Sequence, residues 1–264
     1  MYNFNYHQAK SVDEASKLVS GVEEGKVMAG GMTLLPTLKQ RLAKPSDVVD
    51  LGKIAELKGI KKEGNAIVIG AMTRHFDVAN SDVVKQSIPG LAHLAGHIGD
   101  PAVRHRGTCG GSIANSDPAA DYPSSVLALN ATIITNKREI AADDFFKGLF
   151  ETALEPSELI TAISFPIPEK SAYMKFPNPA SRYAIVGVFV AKTGNNVRVG
   201  VTGAGACAFR QKDMETALSK NFSPDAIKDI KQPDAGLNSD IHASAEYRAH
   251  LVNVMARRAV QACG

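Results

Sequence analysis

Apolar positions in the first fifty residues alternate between short strand-like runs and stretches with helical spacing. Ser11 and Glu14 stand three residues apart, the spacing of a capping box, and they predict the start of a helix that ends near Gly21. The apolar face of this helix is formed by Val12, Ala15, Leu18 and Val19. Strands are predicted at 26–29 and 46–51. These elements predict a small unit of alternating strands and helices, too short to bury a large core alone.

From Gly59 onward the pattern changes to short β-branched runs separated by helical stretches. Strands are predicted at Ile60, at 67–70 and at 132–135, and helices at 75–80 and 87–97. The stretch 98–121 shows neither period and is rich in glycine and small residues. We expect a long irregular segment there, and such segments inside compact domains commonly contact ligands.

The last third of the chain predicts a sheet followed by helices. A strand over 158–166 is closed by Pro166, and strands at 184–193 and 197–201 are joined by a turn at 194–196 that favours a hairpin. Helices are predicted at 212–220, 224–230 and 246–262. The sequence therefore predicts a third unit over about 170–264.

Composition narrows the classes of function. The chain has 264 residues and a net charge of +3 with interspersed charges, which gives no reason to expect nucleic acid or an anionic membrane as a partner. The longest apolar run, 184–191, is too short to span a membrane, and the N-terminus lacks a signal-peptide pattern, so we expect a soluble cytoplasmic protein. The three cysteines have no Cys-x-x-Cys spacing, which predicts no disulfide framework and no zinc or iron–sulfur site.

Two glycine-pair segments carry the candidate chemistry: Ala29-Gly30-Gly31-Met32-Thr33 and Thr108-Cys109-Gly110-Gly111-Ser112. Glycine lets bare backbone N–H groups approach a phosphate closely. In the first segment Thr33 is expected to cap a helix over 34–42, whose N-terminus would attract an anion. A plain turn is the alternative for one such segment. Two of them together indicate a ligand with two phosphates.

Three other patterns are weaker. Residues 203–208 satisfy a loose G-x-G-x-x-A dinucleotide fingerprint, but no helix pattern follows and the preceding strand pairs backwards, so a glycine-rich strand is favoured. His93 and His97 have the spacing for a metal on one helix face, yet no third ligand accompanies them. Arg104 and Arg106 either clamp a phosphate or are ordinary solvated residues.

These motifs together resemble the FAD-binding medium subunit of the molybdenum hydroxylases. The resemblance rests on 29–36, on 98–112 with 117–121, and on 179–184, and it extends through the tail at 239–248. It implies an α+β fold: a two-part FAD-binding domain of the vanillyl-alcohol-oxidase (p-cresol methylhydroxylase) type, followed by a C-terminal α+β flavoprotein domain. The implied boundaries are 1–57, 58–168 and 170–264.

The resemblance also implies which residues contact FAD. The pyrophosphate would be held by the two glycine-pair segments, Ile98 would pack near the cofactor, Asp121 would bond it, and Ile160 would offer backbone contact. Lys175 would lie near the flavin ring and Tyr183 would cover it. The implied contacts are Val27, Met28, Ala29, Gly30, Gly31, Met32, Thr33, Leu34, Ile98, Thr108, Cys109, Gly110, Gly111, Ser112, Asp121, Ile160, Lys175 and Tyr183.

The implied function is electron transfer. A large partner subunit with the molybdenum cofactor would oxidise the substrate, and a small partner subunit with [2Fe-2S] clusters would relay electrons to FAD in this chain and on to NAD⁺, a quinone or O₂. The implied assembly is a dimer of heterotrimers, in the cytoplasm or peripherally at the inner face of the membrane. A stand-alone FAD-dependent oxidase and a non-redox nucleotide-binding module are the alternatives.

Overall fold

A computed structural model describes all residues, 1–264. The N-terminal unit contains a three-stranded parallel sheet in the order β1-β3-β2. Its elements are β1 (Asn5–Gln8), α1 (Val12–Ser20), β2 (Gly25–Met28), α2 (Leu34–Lys39) and β3 (Asp47–Asp50). The predicted alternation of strands and helices is confirmed, although α2 is shorter than predicted.

The capping box at the start of α1 forms in a modified way. The Ser11 hydroxyl accepts a hydrogen bond from the Glu14 N–H at 3.2 Å, whereas the Glu14 carboxylate accepts from the Lys10 N–H at 2.8 Å instead of from the cap residue itself. The small core beneath α1 includes Met72 and Leu159 from later in the chain. The N-terminal unit is therefore completed by the second unit, as its size predicts.

The second unit is built on a five-stranded antiparallel sheet in the order β4-β5-β10-β6-β7. A 3₁₀ turn (Ala55–Leu57) precedes the sheet, and the unit also contains a two-stranded ribbon formed by β8 and β9. Its strands are β4 (Ile60–Glu63), β5 (Ala66–Gly70), β6 (Thr132–Thr135), β7 (Glu139–Ala141), β8 (Phe146–Gly148), β9 (Glu151–Thr152) and β10 (Ile160–Pro166). Its helices are α3 (His75–Asn80), α4 (Asp82–Ser87), α5 (Pro89–Gly96), α6 (Pro101–Arg106), α7 (Cys109–Asn115), α8 (Tyr122–Ala128) and α9 (Ala142–Phe145).

The prediction of an irregular segment over 98–121 is wrong, because α6 and α7 occupy much of it. Each of these short helices has a side-chain N-cap: Asp100 accepts from the Val103 N–H at 3.0 Å, and Thr108 accepts from the Gly111 N–H at 3.2 Å. Helices this short have no full apolar stripe, so their caps are the only sequence signal for them. Helix α4 was missed for the same reason.

The third unit is a four-stranded antiparallel sheet in the order β11-β12-β13-β14, with helices along one face. Its elements are β11 (Lys170–Pro177), β12 (Ala184–Thr193), β13 (Asn196–Thr202), β14 (Phe209–Arg210), α10 (Lys212–Lys220), a 3₁₀ turn (Pro224–Ile227) and α11 (Ala245–Ala262). The predicted β12–β13 hairpin is confirmed. The helix predicted at 224–230 is only the 3₁₀ turn. The strand favoured at 203–208 is wrong: Gly203 has φ +82°, and these residues form the connection between the antiparallel strands β13 and β14.

Both faces of the third sheet are covered. Side chains on one face of β12, such as Val188 and Val190, join a core with Met255 of α11, whereas Phe189 on the other face joins the core of the second unit. At Gly200 of β13 the backbone of α8 comes so close that a Cβ would lie 2.0 Å from the Ser124 carbonyl oxygen. The third sheet thus packs directly on the second unit.

Candidate functional site: a cleft beside the glycine-pair segments

A cleft of about 560 Å³ is lined by residues of the first unit, by the 98–121 region, by the start of β10 and by the β11–β12 turn. All but three of the predicted contacts line it: Val27, Ala29, Gly30, Gly31, Met32, Thr33, Leu34, Ile98, Thr108, Gly110, Gly111, Ser112, Asp121, Ile160 and Tyr183. The exceptions are Met28, Cys109 and Lys175. The volume falls in the range typical of small-molecule and cofactor sites.

The two glycine-pair segments lie against each other in the wall of the cleft. A Cβ on Gly30 would lie 2.0 Å from the Arg106 carbonyl oxygen. A Cβ on Gly111 would lie 3.3 Å from the Cβ of Ala29. The absence of a side chain at Gly30 therefore allows close contact with Arg106 and Gly107, immediately before the second segment. This packing role is in addition to the approach to a phosphate that the sequence predicts.

The first segment presents a run of free donors. None of the six consecutive backbone N–H groups of residues 29–34 donates to a protein acceptor, and the helical bonds begin only at the Leu35 N–H, which donates to the Gly31 carbonyl at 3.0 Å. Gly31 has φ +75°, the left-handed region that glycine adopts freely. Thr33 makes no side-chain cap, so that prediction is wrong. Successive free N–H groups in such a turn form an anion-binding concavity.

The second segment differs, because it is the first turn of α7. Its backbone N–H groups already have protein acceptors. The Cys109 N–H donates to the Thr73 carbonyl at 3.0 Å, and the Gly110 N–H donates to the Ala71 carbonyl at 2.9 Å. The N–H groups of Gly111 and Ser112 donate to the Thr108 hydroxyl at 3.2 Å and to the Thr108 carbonyl at 3.0 Å. The expectation that both segments offer a backbone cradle is therefore wrong for 109–112. Gly110 instead allows close packing, since a Cβ there would lie 2.5 Å from that of Ala71.

What α7 offers to the cleft is side chains. Ser112 and Asn115 both line it, three residues apart on one helix face, and neither side chain hydrogen bonds to the protein. Asn115 was missed by the sequence analysis. A helix assignment for 109–115 would have placed it beside Ser112.

The Cys109 side chain does not reach the cleft. It is fully buried in the core of the second unit, and burial raises the pKa of its thiol far above the ordinary value. Cys109 is one of the predicted cofactor contacts, but its side chain does not line the cleft. Its role is that of a small apolar core residue.

Asp121 is held by two residues of β11. The Tyr173 hydroxyl donates to Asp121 Oδ1 at 2.5 Å, and Lys175 Nζ lies 2.9 Å from the same oxygen and 2.8 Å from the His97 carbonyl oxygen. Burial raises the pKa of the Asp121 carboxyl, and the charge of Lys175 opposes this shift. Lys175 therefore acts on the cleft through Asp121. Tyr173 was missed, although its position two residues from Lys175 places both on one face of a strand.

The third sheet also fixes the backbone before Asp121. The Thr202 hydroxyl hydrogen bonds to the Ala120 carbonyl at 2.6 Å and lies 3.0 Å from the Pro118 carbonyl, which also accepts from the Gly203 N–H at 2.7 Å. The segment that carries Asp121 is thus attached to the end of β13.

A tight turn between β11 and β12 carries Tyr183 to the cleft. The buried Asn178 side chain accepts from the N–H groups of Ala180 and Ser181 at 2.9 and 3.1 Å. Tyr183 is 46% exposed, and its hydroxyl has no hydrogen-bond partner in the protein. Arg182 precedes it with φ +62° and also lines the cleft. The turn therefore places an aromatic ring and a cation at the cleft.

At the start of β10, Glu158 forms a buried anchor next to Ile160. Its carboxylate accepts from Arg138 at 3.0 and 3.1 Å, from the Thr135 hydroxyl at 2.8 Å and from the Glu155 N–H at 2.8 Å. The Arg138 hydrogen bond is the main cause that lowers the pKa of Glu158 to about 2. Glu158 therefore stays ionised and bound at neutral pH.

The weaker candidate sites are accounted for by local contacts. The rings of His93 and His97 lie 4.0 Å apart, and no group of three or more His, Cys, Asp or Glu side chains that could hold a metal is found in the structure. The Arg104 guanidinium donates to the Ile98 carbonyl at 2.6 Å. No helix is both long and apolar enough to cross a membrane.

Comparisons with known proteins agree with this geometry. Residues 2–168 match the family described as "FAD binding domain in molybdopterin dehydrogenase", and residues 171–263 match "CO dehydrogenase flavoprotein C-terminal domain". The glyceraldehyde dehydrogenase medium chain of Sulfolobus acidocaldarius is 36% identical over 97% of this chain and 96% of its own. The carbon monoxide dehydrogenase medium chain of Hydrogenophaga pseudoflava is 35% identical over 98% and 96%. A chain of the reconstituted CO dehydrogenase from Oligotropha carboxidovorans superposes with a TM-score of 0.89 and 32% identity, over 99% of this chain and 98% of its own.

The fold and the cleft thus define an FAD-binding subunit of an oxidoreductase. The chain belongs to the FAD-binding medium subunits of the molybdenum hydroxylase family. The predicted family, α+β fold and FAD cofactor are confirmed.

Replacement of Glu158 by Gln tests the buried anchor. The pKa of about 2 lies below the ordinary value of 4.5, so the stability supplied by the ionised group is complete above about pH 4.5 and is lost as pH falls toward 2. We expect Glu158→Gln to lower the free energy of unfolding by on the order of 1–3 kcal/mol near neutral pH, with a gap to wild type that closes on acidification. Urea denaturation at several pH values measures it.

Glu155→Gln is the matched control. The Glu155 side chain is 56% exposed and lies 3.5 and 3.7 Å from its cationic partners, so its loss should cost under about 1 kcal/mol. A Glu158→Gln gap that stays constant between neutral pH and pH 2.5 would contradict the assignment.

Proposed function

We propose that FAD lies extended in this cleft with its pyrophosphate at the free N–H groups of residues 29–34. This run of donors is the observation that carries the proposal. Hydrogen bonds to charged groups contribute about 1.5–3 kcal/mol each, whereas a helix terminus adds only about 0.3–1 kcal/mol. Several such bonds with burial of the rings reach the roughly 8 kcal/mol that a micromolar Kd requires.

The other proposed contacts with FAD come from side chains around the cleft. Ser112 and Asn115 supply polar side chains along α7, Ile98 and Ile160 pack against the cofactor, and Tyr183 covers the isoalloxazine ring. Asp121 bonds to the cofactor, with Lys175 behind it. We place the boundaries of the two FAD-binding parts and the C-terminal domain at 1–57, 58–168 and 170–264.

The proposed activity is electron transfer within a larger enzyme. FAD accepts one or two electrons, so it can collect them from the [2Fe-2S] clusters of a small partner subunit and pass them to an external acceptor. A large partner subunit with the molybdenum cofactor would oxidise the substrate, and the assembly would be a dimer of heterotrimers. The relatives named above are medium chains of enzymes with different substrates, glyceraldehyde and carbon monoxide. Substrate choice would accordingly lie outside this chain.

The state of the three acidic side chains that line the cleft supports electron transfer over a stand-alone oxidase. Asp121 and Glu158 are held in ion pairs, and Asp117 accepts a hydrogen bond from the Ala119 N–H at 2.9 Å. An oxidase needs a positioned acid or base for its substrate. Turnover of an alcohol or aldehyde by the chain alone would contradict this proposal.

Gly31→Ala tests the cradle. Alanine tolerates φ +75° poorly, and its Cβ would also lie 3.0 Å from the Leu35 side chain, so the donors of 29–34 should lose their alignment. We expect the Kd for FAD to rise about tenfold or more, measured by titration of the apoprotein with FAD. Gly194→Ala is the control, because Gly194 has φ +56° with open space around it in the β12–β13 turn. Equal loss of FAD affinity in both variants would show that backbone strain alone is responsible.

Tyr183→Ala tests the role of the ring in the assembled enzyme. We expect electron transfer from reduced FAD to the acceptor to change several-fold in stopped-flow absorbance, with substrate oxidation at the molybdenum centre unaffected. Tyr183→Phe should behave like wild type, since the hydroxyl has no protein partner. Slower chemistry on the molybdenum side in Tyr183→Ala would contradict the assignment.

A further inference from the structure

One histidine in the cleft wall lacks any hydrogen-bond partner for its ring. His75 begins α3, lines the cleft and is only 4% exposed. Its Nδ1 is enclosed and unpartnered, and Nε2 makes no hydrogen bond to the protein either. Buried polar groups in folded proteins nearly always have a partner, and leaving one unsatisfied is costly. Nδ1 is enclosed by the protein, whereas Nε2 is not, so Nε2 is the ring atom that a partner in the cleft can reach.

The surroundings of His75 show which part of the ring faces that partner. Its backbone N–H donates to the Gly107 carbonyl at 3.0 Å, which ties it to the residue before the second glycine-pair segment. A Cβ on Gly107 would lie 2.6 Å from His75 Nε2, so the glycine makes room for this edge of the ring. On the other side the ring lies 5.4 Å from that of Tyr122.

The ring is neutral at physiological pH, because burial and the nearby charge of Arg104 lower its pKa to about 4. A neutral imidazole carries one N–H and one lone pair. A lone pair without a partner is tolerated better in a buried site than an unpaired N–H. The proton is therefore favoured on Nε2, at the Gly107 edge, where it can be donated to an acceptor in the cleft.

We propose that His75 is a further FAD-binding residue, whose Nε2–H donates a hydrogen bond to a phosphate oxygen of FAD beside the segment 107–112. The inference rests on the FAD site proposed above. It adds a donor on the side of the cleft where the backbone N–H groups of 109–112 are already used. His75, together with Ser112 and Asn115, then makes this wall a side-chain counterpart of the backbone donors of residues 29–34.

His75→Phe keeps a flat ring and removes both nitrogens. We expect the Kd for FAD, measured by titration of the full-length apoprotein, to rise about tenfold. The melting temperature of the apoprotein should stay the same or rise, because an unsatisfied buried group is removed. His75→Gln can place an N–H near the position of Nε2 and should restore most of the affinity, whereas His75→Asn, which reaches only the position of Nδ1, should not. His93→Phe, at an exposed histidine outside the cleft, should bind FAD like wild type.

Two results would overturn the inference while leaving the FAD site intact. One is wild-type affinity in His75→Phe. The other is that His75→Phe lowers the melting temperature of the apoprotein as much as it lowers the melting temperature of the FAD-bound protein. That result would make His75 a structural residue. Failure of the wild-type chain to bind FAD, both alone and in the assembled enzyme, would instead overturn the proposed function itself.

Discussion

The cleft depends on the contact between two backbone segments that approach each other without side chains. Gly30 lies against the carbonyl of Arg106, and Gly111 of α7 lies against Ala29, so the N-terminal unit and helix α7 form one continuous wall. A Cβ at Gly30 would push the two segments apart. Because the donors of residues 29–34 lie on one side of this contact and α7 on the other, their relative position is fixed by it.

The third sheet stabilises the opposite side of the cleft. Tyr173 and Lys175 hold Asp121, and Thr202 holds the backbone at Pro118 and Ala120. The same sheet carries Tyr183 on its first turn. The C-terminal unit thus contributes to the cleft through polar contacts with the second unit, although its sheet lies outside the residues that match the FAD-binding family.

The sequence predicts the elements with clear periodicity and fails where helices are short. The parallel unit, the β12–β13 hairpin and α10 carry full apolar patterns, and the structure has them. Helices α6 and α7 have one or two turns each, so only their caps Asp100 and Thr108 mark them. The absence of α7 from the predicted elements affects the site, because residues 109–112 outside a helix are expected to have free N–H groups.

Some site residues can be predicted from local motifs, and others cannot. Glycine pairs and the family resemblance were sufficient to find the cleft, since nearly all the predicted contacts line it. His75 and Tyr173 are positioned by neighbours that lie far away in the sequence, Gly107 for His75 and Asp121 for Tyr173. No local motif marks such residues. Cys109 shows the reverse case, a residue within a motif whose side chain belongs to the core.

In the proposed FAD site, the cofactor is bound by the backbone donors of residues 29–34 and not by those of 109–112. Amide hydrogen–deuterium exchange of the full-length chain, with and without FAD, tests it most directly. The account predicts strong FAD-dependent slowing at 29–34, where the N–H groups are free, and little change at 109–112, where they are already bonded. Slowing confined to 109–112, or none at 29–34 when FAD is bound, would contradict it.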